Sequence, residues 1–142
     1  MDFEIVTAPP RLVAGYIERT SNTDEMDQQH ARLPGLWGRA SSAGDMVAVL
    51  TDYESDHEGR YTQLVGHEIN TLSDVRVGEL VAQIPASSYA LFRTTGAAPA
   101  SIINGWQRVW QAQEAGELRR AFTTDFELWP TGESPLIYVA VA

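Results

Sequence analysis

Apolar residues fall along this chain in short runs, and each run is bounded by polar residues, proline or glycine. Runs of about four to eight residues rich in β-branched and aromatic side chains are typical of strands. Pro9 and Pro10 cannot donate to a strand ladder, so the strand over residues 3–8 must lie at an edge or break there. Because residues 11–20 resume an extended pattern with Gly15 inside it, we expect one strand over residues 3–20 that bends or bulges. The segments that predict strands are residues 3–8, 11–20, 46–50 with its continuation 51–54, 61–69, 81–85, 88–94, 124–129 and 136–141.

Two further segments have the spacing of helices. The first, residues 24–38, follows the capping cluster Ser21-Asn22-Thr23-Asp24 and contains Pro34, which should kink the helix or restart it. The second, residues 99–115, begins at a proline and places apolar side chains on one face at three- and four-residue spacings. Gly116 is a suitable end for this helix.

A short motif repeats at about half the length of the chain. Thr51-Asp52-Tyr53-Glu54 returns 73 residues later as Thr124-Asp125-Phe126-Glu127, and Trp37 maps onto Trp110 at the same offset. This repeat indicates a duplicated unit. We therefore expect the last carboxylate of each copy to occupy matched positions near the middle of the molecule.

The order of elements leads to the same interpretation. We predict a single domain over residues 1–142, with repeat halves 1–72 and 73–142 that are each a β-α-β-β unit. Strands joined by short loops favour antiparallel pairing. The predicted fold class is α+β, with tandem duplicated β-α-β-β units forming an antiparallel sheet with two helices. The helices lie on one side of the sheet, or the halves face each other across a groove.

The charge of the chain narrows its classes of partner. The formal net charge is −9, from 19 acidic and 10 basic side chains. Such a balance argues against direct binding to nucleic acid phosphates or to an anionic membrane surface. The N-terminus has no basic and apolar leader, and no stretch approaches the roughly 20 apolar residues of a membrane span. We expect a cytoplasmic protein.

The sequence lacks the usual motifs of metal, cofactor and nucleophile chemistry. It has no cysteine, which excludes disulfides, thiol catalysis and cysteine-ligated metal sites. His30, His57 and His67 do not form a helical zinc-binding pair. Neither a Gly-x-Ser-x-Gly motif nor a glycine-rich phosphate loop is present. We expect no cofactor and no metal.

Six segments follow one another in a characteristic order and spacing over nearly the whole chain. They are Leu36-Trp37-Gly38-Arg39, the run from Val49 to Glu54, the run from Tyr61 to Glu68, Tyr89-Ala90-Leu91-Phe92-Arg93 followed by Gly96, a helix with Trp106 and Trp110, and the run from Asp125 to Trp129. Together with the duplicated β-α-β-β pattern, these segments resemble the GyrI-like domains, also called AraC-type effector-binding domains.

The resemblance implies a GyrI-like, SHS2-type repeat fold with a central ligand cleft. Members of that family often bind lipophilic or amphipathic cations, including drugs and dyes, and a glutamate at the position of Glu127 typically faces the cleft. Position 129 is Trp where the family more usually has Tyr, which keeps the aromatic character. Many relatives are fused to a helix-turn-helix module, and we expect this chain to be a standalone effector-binding domain.

The residues of the second repeat favour Glu127 as the central binding group. On a strand, its side chain points away from the face shared by Phe126 and Leu128. Strand carboxylates most often face solvent, but a carboxylate buried among aromatic rings has a raised pKa that a bound cation lowers again. With the repeat and the resemblance, we favour the buried site. The other predicted ligand-binding residues are Tyr53, Trp106, Trp37 and Tyr89.

Two further residues are expected outside the site. We expect Trp110 to be a core residue and Glu54 to lie in water beside a charged loop.

The resemblance also leaves alternative functions open. Some standalone relatives hydrolyse reactive cyclopropane-type compounds, so Glu127 could serve a hydrolase of electrophilic small molecules; we expect a binding protein rather than an enzyme. A protein-interaction module of the gyrase-inhibitor type is a further alternative. A homodimer or a separate transcription factor partner is left open.

Overall fold

A computed structural model describes residues 2–42 and 44–142, and within them eight strands and three α-helices are formed. The strands are β1 (Glu4–Ala8), β2 (Arg11–Ser21), β3 (Met46–Thr51), β4 (Arg60–Ile69), β5 (Leu80–Ile84), β6 (Ser87–Arg93), β7 (Asp125–Trp129) and β8 (Leu136–Ala140). The helices are α1 (Asn22–Glu25), α2 (Leu33–Ala40) and α3 (Ala100–Glu114), and a 3-10 turn spans Leu72–Asp74.

The strands pair antiparallel into one sheet in the order β1-β6-β8-β7-β3-β4-β2-β5. The elements β2, α2, β3 and β4 form one β-α-β-β unit, and β6, α3, β7 and β8 form another. The two units meet where β3 pairs with β7. The predicted α+β class with an antiparallel sheet is confirmed.

The N-terminal strand differs from the sequence-based expectation. We expected residues 3–20 to form one bent strand, but β1 and β2 are separate and lie in different halves of the sheet. β1 pairs with β6, whereas β2 pairs with β4 and β5. The physical reason is the pair Pro9-Pro10, which cannot continue a ladder and releases the chain to cross between the halves. β1 thus joins the half that follows it, and β5 joins the half that precedes it.

The repeated tetrapeptide does not mark equivalent places in the two units. Thr51 ends β3, whereas Asp125 begins β7. The residue opposite Glu127 in the central strand pair is Ala48, and Glu54 is exposed in the following loop. The expectation of two matched carboxylates is therefore wrong. The copies lie side by side instead, with the Thr51 and Thr124 hydroxyl oxygens 3.2 Å apart.

The register also decides where the helices lie. Directly paired residues of antiparallel strands point to the same face of a sheet. Ala48 pairs with Glu127, and Glu127 pairs with Ile137 of β8. Ala48 packs in a cluster with Leu36 of α2, and Ile137 packs in a cluster with Val109 of α3. The helices α2 and α3 therefore cover one face, and Glu127 lies on that face between them.

The opposite face of the sheet carries the other core cluster. It includes the fully buried Val49 of β3 and Phe126 of β7. Ala8 of β1 and Ile84 of β5, which come from the two edge strands, belong to the same cluster. The sheet must therefore curl until its edges share one core.

The first predicted helix is divided in the structure. The Ser21 hydroxyl accepts a hydrogen bond from the Asp24 backbone N–H at 3.1 Å and so caps α1, as the capping cluster predicted. α1 ends at Glu25, and α2 begins at Leu33 with Pro34 in its first turn, where proline is tolerated. Pro34 thus restarts the helix. No helix in the described part of the chain is long and apolar enough to cross a membrane.

We predict that Gly66→Ala lowers the free energy of unfolding by about 1–3 kcal/mol or more, because overpacking usually costs that much. Gly66 of β4 pairs with Gly15 of β2, and a Cβ on Gly66 would lie 1.8 Å from the Ala14 carbonyl oxygen. Urea unfolding followed by tryptophan fluorescence measures the change. The matched control is Gly38→Ala in α2, where a Cβ meets nothing within 4 Å. Helix propensity should make that variant more stable by about 0.5–1 kcal/mol. Equal stability of Gly66→Ala and wild type would contradict the close strand approach.

Candidate functional site

A cavity of about 730 Å³ opens on the helix face of the sheet, between α2 and α3. This volume lies within the range of about 300–1,000 Å³ that small-molecule sites occupy. All four tryptophans of the chain line the cavity. The aromatic lining residues are Trp37, Tyr53, Tyr61, Trp106, Trp110 and Trp129.

The carboxylate of Glu127 lies in the wall of this cavity. Glu127 is only 5% exposed. Its Oε2 accepts a hydrogen bond from the Trp106 indole N–H at 2.6 Å, and its Oε1 accepts one from the Trp129 indole N–H at 2.9 Å. Strand alternation places Trp129, two residues further along β7, on the same face as Glu127. α3 supplies Trp106 from above the sheet.

Burial dominates the electrostatics of Glu127. It raises the pKa of this carboxyl above its ordinary value, and the hydrogen bonds from Trp106 and Trp129 offset part of that rise. Among the ion pairs of residues 2–42 and 44–142, none involves Glu127. The carboxyl is thus held by neutral donors, and it can be stabilised further either by a proton or by a cation that enters the cavity.

A second charged group in the wall, Arg120, is already balanced. Its Nη2 donates to Asp125 Oδ2 at 2.9 Å, and the Tyr53 hydroxyl donates to the same oxygen at 2.5 Å. The other carboxylate oxygen of Asp125 accepts from the Ala140 backbone N–H at 2.8 Å. Burial and the negative charge of Asp125 raise the pKa of Tyr53. Tyr53 therefore presents its ring to the cavity while its hydroxyl remains committed to Asp125.

Phe122 holds the guanidinium of Arg120 in place. Its ring centroid lies 4.4 Å from the guanidinium carbon, and its ring contacts that of Tyr53 edge-on at 5.7 Å. Phe122 adopts a left-handed backbone conformation with φ of 54°, which is uncommon for a bulky residue. The packing of its ring against a buried cation is an interaction that can compensate for this strain.

The loop between β3 and β4 covers one end of the cavity. His57 in this loop lines the cavity. Its backbone carbonyl accepts from Asn22 Nδ2 at 2.9 Å, and its Nδ1 lies 3.2 Å from Gln113 Nε2. The loop is thereby tied to α1 and α3. No group of His, Cys, Asp and Glu side chains suited to hold a metal ion occurs within the described ranges.

The structure brings four of the five predicted site residues together, since Glu127, Tyr53, Trp106 and Trp37 all line the cavity. Tyr89 does not belong to this group. It is fully buried in the core on the opposite face, and its hydroxyl donates to the Pro85 carbonyl at 2.7 Å. The physical reason is its place on β6, where strand alternation points it away from the helices. Tyr89 is therefore a core residue and not part of the candidate site.

Several lining residues were missing from the predicted set, among them Trp129, Trp110 and Arg120. Trp129 could have been found, because a residue two positions after Glu127 shares its face of the strand. Trp110, expected in the core, does pack against the core cluster beneath α3 and also lines the cavity, since an apolar helix face does not reveal whether protein or a cavity covers it. Arg120 precedes β7 in an irregular segment, where no periodicity signals its direction.

Comparison with known proteins identifies relatives of similar length. A family model described as "Cass2: Integron-associated effector binding protein" matches residues 4–141. A protein of Bacillus subtilis (strain 168), YobU, is 29% identical over 148 residues and covers 90% of each chain; its name suggests a transcriptional regulator.

Solved structures give the same fold. The integron cassette protein VCH_CASS2, from the mobile metagenome of Vibrio cholerae, superposes with a TM-score of 0.86 at 26% identity, over 99% of this chain and 96% of that one. SAV2435, solved bound to tetraphenylphosphonium, superposes with a TM-score of 0.75 over 100% of this chain and 94% of that one. Its identity is 16%, so this second likeness concerns the fold alone.

We predict that Glu127→Gln removes a pH dependence of stability. Because the pKa of Glu127 is raised in the folded state, the folded protein binds more protons than the unfolded chain above the ordinary value of 4.5. The free energy of unfolding of the wild type should therefore fall, relative to the variant, as the pH rises from 4.5 through the raised pKa. The slope contributed by this one group is at most about 1.4 kcal/mol per pH unit within that window.

Urea unfolding of both proteins at several pH values measures this difference. Glu54→Gln is the matched control, because Glu54 is exposed and its replacement should leave the pH profile of the wild type unchanged. A difference between Glu127→Gln and wild type that stays constant with pH, or that changes in the opposite direction, would contradict the raised pKa.

Proposed function

Since the chain belongs to the family of integron-associated effector binding proteins, a GyrI-like family as its sequence predicts, we propose that it binds lipophilic organic cations in this cavity. Glu127 is the charge partner in the proposal, and Trp37, Tyr53 and Trp106 supply aromatic walls. Binding of a small-molecule effector follows from the family, whereas the cationic class of the ligand and the roles of these residues are the proposal.

The observation that carries the proposal is the state of the Glu127 carboxyl. It is buried, it accepts hydrogen bonds only from two indoles, and it has no ion pair with any described residue. An ionised carboxylate in such a place is costly unless a positive charge accompanies it. A hydrated metal ion would lose its water against aromatic walls, whereas a lipophilic organic cation has little hydration to lose.

The surroundings of Glu127 suit the apolar part of such a ligand. The six aromatic residues that line the cavity offer ring faces, and each favourable contact of a ring face with a cation contributes roughly 0.5–2 kcal/mol. Ile102 and Ile103 of α3 add apolar surface, and Ile103 is 54% exposed. A ligand that covers these side chains removes apolar area from water, which adds to the binding free energy.

The ligand in the SAV2435 structure supports the choice of cation class. That protein shares the fold and was solved bound to tetraphenylphosphonium, a lipophilic cation. The ion combines a delocalised positive charge with four phenyl rings, so it can occupy an aromatic cavity beside a carboxylate. Tetraphenylphosphonium is therefore a rational first probe for this chain.

The hydrolase alternative uses the same carboxyl to activate water or to protonate a strained ring. Both oxygens of Glu127 accept indole hydrogen bonds, and burial raises its pKa on balance. Turnover of a reactive electrophile that is lost in Glu127→Gln would support the hydrolase, whereas recovery of the ligand unchanged would support a binding protein. Five expectations stay predictions. They are turnover by the hydrolase route, a role as a protein-interaction module, a cytoplasmic location, a homodimer and a separate transcription factor partner.

We predict that tetraphenylphosphonium quenches or shifts the tryptophan fluorescence on binding, because all four tryptophans line the cavity. Glu127→Gln should weaken its binding by about tenfold or more, corresponding to at least about 1.4 kcal/mol. Glu54→Gln, which removes an exposed carboxylate, should bind as the wild type does. Titration at low and high salt keeps non-specific attraction to the acidic surface apart from binding in the cavity.

Tetraphenylborate provides a control on the ligand side. It has nearly the same shape and apolar surface as tetraphenylphosphonium but carries a negative charge, so the proposal expects it to bind far more weakly to the wild type. Equal binding of the two ions, or equal affinity of Glu127→Gln and wild type for the phosphonium, would overturn the cation assignment. Recovery of the phosphonium unchanged after incubation distinguishes binding from turnover.

A further inference from the structure

Arg120 has unused hydrogen-bond donors although the carboxylate of Asp125 balances its charge. Its side chain is only 2% exposed, and it lies in the wall of the cavity. Its hydrogen bonds to Asp125 and to the Tyr53 hydroxyl, at 2.9 and 3.5 Å, both leave from Nη2. Nε is buried and has no hydrogen-bond partner in the described part of the chain. A guanidinium has five N–H donors, so most of its capacity is unused here.

An unsatisfied buried donor has an energetic consequence. Leaving such a group without a partner costs about 1–3 kcal/mol, and buried polar groups in folded proteins nearly always have a partner. The backbone of Arg120 is fixed by its bridge to Val141, and its guanidinium is fixed by Asp125 and the Phe122 ring. The group therefore has little freedom to turn toward another protein acceptor. The side chain lines the cavity, and its Nη1 donors, which make no hydrogen bond to a described residue, are left for a ligand.

Arg120 and Glu127 border the same indole. The guanidinium carbon of Arg120 lies 5.8 Å from the ring centroid of Trp106, and the N–H of that indole donates to Glu127 at 2.6 Å. A ligand that lies against Trp106 therefore has the Glu127 carboxylate at the N–H edge of the indole and the Arg120 guanidinium over its ring. Asp125 cancels most of the charge of Arg120, so the guanidinium can donate without strongly repelling a cation.

We infer that the ligands of this cavity carry, close to the cationic centre that Glu127 attracts, a hydrogen-bond acceptor that takes a donor from Arg120. This inference rests on the proposed function and narrows its ligand class. It describes amphipathic cations with a carbonyl, ether or carboxylate oxygen on the aromatic framework. Simple aryl cations such as tetraphenylphosphonium fill the cavity but leave the Arg120 donors unused.

A matched series of phosphonium ions tests this inference on the wild type. Triphenylphosphonium ions with an acetylphenyl group as the fourth ring carry a ketone acceptor at the ortho, meta or para position. The corresponding isopropenylphenyl ions have the same shape, with a CH₂ group in place of the oxygen. At least one ketone isomer should bind about tenfold more tightly than its isopropenyl counterpart, as expected for a hydrogen bond to a charged donor.

Arg120→Lys locates the source of that preference. Lysine keeps the positive charge beside Asp125 but cannot reproduce the planar fork of donors. The preference for the ketone should fall to about twofold or less in this variant, measured as the ratio of the two affinities within the variant so that a loss common to both ions cancels. A crystal structure of the wild type with the preferred ketone should place its oxygen within hydrogen-bond distance of Arg120, and it decides the question if the variant does not fold.

The outcomes separate this inference from the proposed function. No ketone preference in any isomer, a preference that survives in Arg120→Lys, or a ketone oxygen away from Arg120 would overturn the inference. If these cations bind in a Glu127-dependent way without a ketone preference, only the inference fails. If none of the cations binds, including tetraphenylphosphonium, the proposed function fails as well.

Discussion

The buried carboxyl of Glu127 is the interaction on which the candidate site depends. It lies among aromatic rings, accepts one hydrogen bond from each of two indoles, and has no ion pair among the described residues. Such a group is stabilised by taking a proton or by pairing with a cation. A cavity of about 730 Å³ opens directly onto this carboxyl. The cavity and the carboxyl are thus two parts of one arrangement.

This arrangement arises because the two halves of the fold carry different side chains where they meet in the middle of the sheet. β3 and β7 meet in the middle of the sheet, and there the small side chain of Ala48 stands opposite Glu127. α2 and α3 pack on either side of this strand pair, so the space above the pair stays open. The crossing of β1 to β6 and of β5 to β2 ties the two halves together at the edges. The scaffold can therefore be rigid while the middle of one face remains uncovered.

Most strands and helices could be predicted from the sequence, because local periodicity and proline or glycine breaks mark them. Pairing between distant strands could not, so the separation of β1 from β2 was missed although Pro9-Pro10 signalled a break. The tetrapeptide repeat gave a wrong alignment of the halves, since a constant offset ignores different loop lengths. At the site, Glu127 and Trp106 could be expected from the resemblance, and both line the cavity. Tyr89 was assigned to the cavity but lies in the core, and Trp110 belongs to both environments, because the pattern of apolar residues does not tell a core from a cavity wall.

The most direct test of the central claim is a carbon NMR titration of the Glu127 side-chain carboxyl, assigned by its absence in Glu127→Gln. In the empty protein, the carboxyl should titrate with a pKa above the ordinary glutamate value, because burial disfavours its charge. With saturating tetraphenylphosphonium, that pKa should fall, because the cation favours the ionised form. An ordinary pKa in the empty protein, or an identical titration with and without the cation, would contradict the account.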